Sequence, residues 1–160
     1  SVKAAEYNLT ANGAENVAVV RLSSEEISAA IDKTKRFTQL LEVDLDQYHF
    51  STLFVDPPRS GLDAQTLEFA SRFENIIYIS CNPQTLLENV VALQATHEIA
   101  ATALFDQFPY TPHLESGLFL KRRQCTLPSE GSKKVFAFIN EGEYRGRPTH
   151  YGWVFALKPG

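Results

Sequence analysis

Cys81 follows the run Ile76-Ile77-Tyr78-Ile79-Ser80 and precedes Asn82-Pro83-Gln84-Thr85. The run is apolar and β-favouring and reads as a strand. Leu86, Leu87, Val90 and Val91 then recur at helical spacing, so a helix begins just past the cysteine. Asn82 is a strong N-cap and Pro83 suits the first helical position. A thiol held before a helix N-terminus faces free N–H groups and the positive end of the helix dipole. That setting favours the thiolate and so makes a nucleophile. The competing reading is a small buried apolar residue, which free cysteine usually is. The local pattern leaves both open.

Two carboxylates belong with it once the elements are placed. Residues 51–56 read as a strand that ends at Asp56, because Pro57-Pro58 cannot donate ladder hydrogen bonds. Residues 114–121 read as another strand, with Glu115 near its start. Between them the pattern predicts a helix over 63–73, a strand over 76–80, a helix over 84–94 and a strand over 97–105. Ahead of them come a helix over 1–13, a buried strand over 16–22 and a helix to about residue 33 that opens on Ser23-Ser24-Glu25-Glu26. Residues 33–48 read as an irregular insertion, either a surface loop or a substrate contact.

Strands alternating with helices indicate an α/β fold with parallel βαβ units. The strands over 97–105 and 114–121 are too close in sequence for a crossover, so that pair is expected to be antiparallel. Ligands of open α/β sheets bind beyond the carboxyl ends of the parallel strands. Asp56 and Cys81 lie at such ends, and an antiparallel last strand starts at the same edge with Glu115. A thiol and two carboxylates are therefore expected together, with Arg59 beside Asp56 and the loop 106–113 nearby.

The bulk numbers bound the class. With 160 residues, 44% hydrophobic and 21% charged, the chain has globular composition and room for a real core. No run reaches the roughly 18 apolar residues of a membrane helix, and no signal peptide is visible. Two cysteines, Cys81 and Cys125, are too few for a disulfide framework and fit a reducing, cytoplasmic setting. The net charge of −4 argues mildly against a large nucleic-acid surface but allows a small basic site. The chain has no Met and opens in the middle of a helical pattern, which suggests a piece of a longer protein.

Four segments then carry a resemblance. They are Val55-Asp56-Pro57-Pro58-Arg59-Ser60-Gly61-Leu62-Asp63; Tyr78-Ile79-Ser80-Cys81-Asn82-Pro83; Leu104-Phe105-Asp106-Gln107-Phe108-Pro109-Tyr110-Thr111; and His113-Leu114-Glu115-Ser116-Gly117. In this order they resemble the bacterial tRNA (uracil-5-)-methyltransferase family over residues 1–124. The resemblance implies a class I (Rossmann-like) methyltransferase fold, incomplete at its N-terminus and ending in an antiparallel hairpin. It implies S-adenosylmethionine as methyl donor, no metal, and the tRNA T-loop uridine as target. It makes Cys81 the nucleophile, Glu115 the proton acceptor and Asp56 a donor contact. Arg59 would help to hold the uracil.

The chemistry needs these types. Carbon 5 of uracil becomes nucleophilic when a thiolate adds at carbon 6, and a base must later remove the carbon-5 proton. The base must also leave its stack to react. Phe108 and Tyr110 could stack on it, or they could pack the loop onto the sheet. Gln84, Pro112 and Ser116 stand where the family commonly has Glu, His and Cys. The donor-binding glycine-rich loop and the RNA-binding region are expected upstream of Ser1, so this piece alone is expected to be inactive. The alternatives are a ribosomal RNA uracil-5-methyltransferase and an inactive RNA-binding remnant. No protein partner is expected, and the chain is expected to be a monomer.

Residues 125–160 lie beyond the resemblance. After a linker, 135–139 and 151–157 alternate like two strands of a hairpin, which alone would be marginal.

Overall fold

The computed structural model describes residues 2–14, 16–107, 109–111, 114–123, 135–144 and 147–157, with side chains for those up to 123. Helix α1 (Val2–Ala11) precedes strand β1 (Val17–Leu22). Helix α2 (Ser24–Ile31) begins in a capping box, with Glu26 N–H donating to Ser23 Oγ at 3.1 Å and Ser23 N–H to Glu26 Oε2 at 2.9 Å. It stops short of the expected residue 33 because Lys33 turns into the left-handed region, with φ 56°. Residues 33–48 hold two single 3-10 turns, Thr38–Leu40 and Leu45–Gln47. This insertion is more than a surface loop: Phe37 is buried, and Leu40 and Leu45 pack against the core.

Strand β2 (Phe50–Val55), helix α3 (Ala64–Ala70), strand β3 (Asn75–Ser80), helix α4 (Pro83–Leu93), and strands β4 (His97–Phe105) and β5 (Glu115–Arg122) follow the expected order. Strands β6 (Val135–Tyr144) and β7 (Arg147–Leu157) form an antiparallel hairpin, longer than the alternation suggests. All seven strands join one sheet in the order β1-β7-β6-β2-β3-β5-β4. Strands β2 and β3 pair in parallel, as the βαβ reading requires. Strand β5 runs antiparallel to both β3 and β4, and so reverses the last pair as expected. Strand β2 is not an exposed edge, since β6 pairs with it in parallel.

The core lies against the β2–β3–β5 centre. Leu53, Val55, Ile76, Tyr78 and Leu120 are fully buried beneath Phe69 and Ala70 of α3 and Leu86, Val90 and Leu93 of α4. Each such side chain contributes about 1.5–3 kcal/mol by burial. Alternate residues of β3, Ile77 and Ile79, are only half-buried, so the two faces of the sheet are unequally covered. Arg72 forks onto Asp32, and so ties the end of α3 to the end of α2. No helix among the described residues is long and apolar enough to cross a membrane.

His97 is a fully buried ionisable side chain. Its Nε2 lies 2.9 Å from the Phe73 carbonyl, and its Nδ1 lies 2.8 Å from Thr96 Oγ1. The neutral ring with the proton on Nε2 satisfies both contacts. Burial, followed by the nearby Arg122 charge, outweighs the bond to Phe73 and holds the ring below its ordinary value. The unfolded chain therefore binds a proton that the folded chain refuses. Stability attributable to His97 is present above about pH 6.5 and falls as the pH drops below it. Melting curves between pH 7.5 and 5 should show a fall in Tm that is shallower in His97→Gln, whose amide N–H can keep the bond to Phe73.

Candidate active site

The backbone around Cys81 is braced from both sides. Ser80 is buried at the end of β3, and its hydroxyl bonds the residue beyond the cysteine twice. It accepts from Asn82 N–H at 3.1 Å and donates to the Asn82 carbonyl at 3.0 Å. Asn82 caps α4, with its Oδ1 accepting from Gln84 N–H at 3.2 Å, and Pro83 takes the first helical position. Cys81 is left half-buried as a free thiol at the N-terminal end of an 11-residue helix. The strand–turn–helix reading of this stretch is what the structure contains.

The Asp-Pro-Pro-Arg loop after β2 is fastened to that turn. The Arg59 carbonyl accepts from Asn82 Nδ2 at 2.9 Å, and Thr85 Oγ1 lies 3.1 Å from the same carbonyl. Deeper in, Asn89 of α4 is buried and makes three bonds, two to the loop and one to β3. Its Oδ1 accepts from Leu62 N–H at 2.7 Å and from the Tyr78 hydroxyl at 2.6 Å, while its Nδ2 donates to the Leu62 carbonyl at 3.1 Å. Gly61 makes the close approach possible. Its φ is +75°, and a Cβ there would stand 2.6 Å from Asn89 Oδ1. Neither Asn89 nor Tyr78 was singled out from the sequence. The available signal was the position of Asn89 on the buried stripe with Leu86, Val90 and Leu93.

The strand register brings the third segment in. Strands β3 and β5 pair Ser80 with Ser116, so Cys81, just past the end of β3, and Glu115, the first residue of β5, lie at the same edge of the sheet. On its other side Glu115 pairs with Phe105 of β4. Lys121, the nearest lysine on β5, lies six positions along the same strand, opposite Asn75, and so at its far end. Asp56 follows Val55, which pairs with Tyr78, and so lies one strand across and about two residues short of Cys81.

Asp56 is half-buried, and burial pushes its carboxyl pKa above the ordinary carboxylate value. Among the described residues it has no hydrogen-bonding or ionic partner. A desolvated, unpartnered carboxylate is suited to a ligand amine or ammonium. The Arg59 side chain is exposed at the same end. Tyr110 is fully exposed in a left-handed conformation, with φ 67°, and it does not pack on the sheet. Phe108, with Pro112, His113 and Cys125, lies outside the described residues.

Two substitutions test this scaffold. Asn89→Leu strands the Leu62 amide, the Leu62 carbonyl and the Tyr78 hydroxyl, and should destabilise by on the order of 3 kcal/mol. Gly61→Ala should destabilise by about 1–3 kcal/mol through its positive φ and the contact with Asn89. Urea unfolding of each variant beside the parent chain measures both; a change below about 0.5 kcal/mol for Asn89→Leu would contradict the clamp.

The sequence has counterparts among known proteins. The tRNA (Uracil-5-)-methyltransferase family profile matches residues 1–123. A tRNA/tmRNA (uracil-C(5))-methyltransferase of Aromatoleum aromaticum is 68% identical over 123 residues, which is 77% of this chain and 33% of that protein. Its namesake in Teredinibacter turnerae is 60% identical over 123 residues, 77% of this chain and 34% of that protein. The chain thus spans about a third of the length of the curated relatives it matches. A solved structure, the Pyrococcus abyssi tRNA (uracil-54, C5)-methyltransferase in complex with S-adenosyl-L-homocysteine, aligns at 37% identity and a TM-score of 0.42. The alignment covers 46% of this chain and 19% of that one. With the profile matched across more than half of its length, the chain belongs to the tRNA (uracil-5-)-methyltransferase family.

Proposed function

We propose that this chain supplies the nucleophile and the base of a uridine carbon-5 methylation, with Cys81 and Glu115 in those roles. The observation that supports the reading is the β3–β5 register, whose last pair, Ser80 with Ser116, leaves Cys81 just past the end of β3 and Glu115 at the start of β5. We take the fold as the Rossmann-like class I methyltransferase type, and the target as the T-loop uridine of tRNA. The names of the relatives, which speak of tRNA and tmRNA, favour that target over ribosomal RNA. We also infer a monomer acting in the cytoplasm.

The steps follow from the groups present. The Cys81 thiolate adds to carbon 6 of the uracil and leaves an enolate with its electron density on carbon 5. S-adenosylmethionine, when bound, supplies the methyl group that carbon 5 takes. The Glu115 carboxylate then removes the carbon-5 proton, the carbon-5–carbon-6 double bond re-forms and the thiolate leaves. Placement one residue beyond the paired Ser80 and Ser116, at one sheet edge, suits both groups to act on neighbouring carbons of a single ring. Asp56, desolvated and without a partner, would accept a hydrogen bond from an amine of the donor. Arg59 and Tyr110, exposed at the same end, would contact the flipped base, and Phe108 belongs to the same loop. Stacking on an exposed aromatic ring is a common way to hold an unstacked base.

The test places residues 1–123 in the frame of the Aromatoleum relative, in exchange for its matched third. Incubation with donor and tRNA carrying 5-fluorouridine should give a denaturation-resistant protein–RNA adduct, because the carbon-5 fluorine cannot leave as a proton. Cys81→Ser should give none. Glu115→Gln should form a lasting adduct even with unmodified tRNA, since only the release step is blocked. Methylation that persists in Cys81→Ser would exclude the covalent route.

A further inference from the structure

Residues 1–123 match the family, yet their strands do not form a continuous sheet. Strand β1 stands on one side and β2-β3-β5-β4 on the other, with two positions between them. Both positions are taken by β6 and β7, from outside the matched region. At about 4.8 Å per strand, an empty gap would part β1 and β2 by roughly 14 Å and leave two facing rows of unpaired N–H and C=O groups. A sheet does not keep such a hole.

We propose that the space between β1 and β2 is a two-strand pairing site, and that the hairpin 135–157 fills it in place of strands that the relatives supply from outside their matched third. The relatives extend to about three times the matched length, which leaves them ample chain for two strands. The hairpin engages both sides of the slot. Strand β7 pairs with every residue of β1, from Val17↔Leu157 to Leu22↔Gly152. Strand β6 pairs with β2 from Phe50↔Val135 to Val55↔Ile139, and it does so in parallel, in the direction shared by β2 and β3. The fit is imperfect, because the register shifts between Phe50 and Thr52 and again between Glu141 and Glu143. The slot also adjoins the site. Ile139 pairs with Val55, so residues 140–144 run past the end of β2 on the Asp56 side. Whichever segment fills the slot forms the neighbour of Asp56.

Cysteine pairing tests this on the full chain, in a Cys81→Ser, Cys125→Ser background. Ala18 and Ala156 are register partners, so Ala18→Cys with Ala156→Cys should lose both free thiols to an intramolecular disulfide under mild oxidation. Ala18→Cys with Gly142→Cys, whose second position lies near the other end of the hairpin, should keep both thiols. The second arm grafts residues 1–123 into the Aromatoleum relative as above, with 124–160 retained at the C-terminus. If the seat is shared, the 18–156 disulfide forms in the free chain and is lost in the folded graft. Failure of the disulfide in the free chain would overturn the proposal, and so would its persistence in the folded graft. Neither readout involves methylation, so the result stands apart from the fate of the proposed reaction.

Discussion

The site depends on one buried carboxamide. Asn89 reaches from α4 to the main chain of Leu62 in both directions and to the hydroxyl of Tyr78 on β3. Those three bonds hold the loop after β2 against the turn after β3. Without them the Asp56 loop and the Cys81 turn would be joined mainly by outer bonds to the Arg59 carbonyl. A buried amide with both its ends satisfied is strongly placed, because every alternative geometry leaves a polar group dry and unpaired. Gly61 is the complementary constraint. Its positive φ and missing Cβ let the loop close onto the amide. The outer bonds from Asn82 and Thr85 to the Arg59 carbonyl then complete the brace nearer to solvent.

Topology supplies what hydrogen bonds alone cannot. The carboxyl ends of β2 and β3 carry Asp56 and Cys81, and a further parallel strand would bring a third carboxyl end to that edge. The reversal of β5 brings a strand start instead, and so puts Glu115 at the same edge as the thiol. Gly117 keeps this crossing tight, since a Cβ there would meet Ile79 and Phe105 at 3.2 Å. Glu115 is thereby carried by a strand, and Cys81 by the braced turn that directly follows one.

Much of this was legible before any coordinates. The Ser80-Cys81-Asn82-Pro83 turn could be read because capping chemistry is local. The reversed last strand could be read because a short connection forbids a parallel crossover. Asn89 was missed because its role is non-local. Within its own helix it looks like an ordinary polar residue, and only its place on the Leu86–Val90–Leu93 stripe marks it. The insertion 33–48 looked like a loop because its apolar residues follow no period, although Phe37 anchors it in the core. The hairpin could be read from its alternation, but its seat could not, because pairing with β1 and β2 is a choice between distant edges.

The central claim is that Cys81 and Glu115 face each other at one sheet edge. The direct test replaces Glu115 with cysteine in a Cys125→Ser chain and follows disulfide formation with the native Cys81 under folding conditions. Adjacent positions in an extended antiparallel ladder fall within disulfide reach, at Cα separations of about 4.4–6.8 Å. The account predicts that both thiols disappear in the folded protein and that the bond is lost when the chain is first unfolded in denaturant at equal dilution. A folded protein in which both thiols stay free would contradict it.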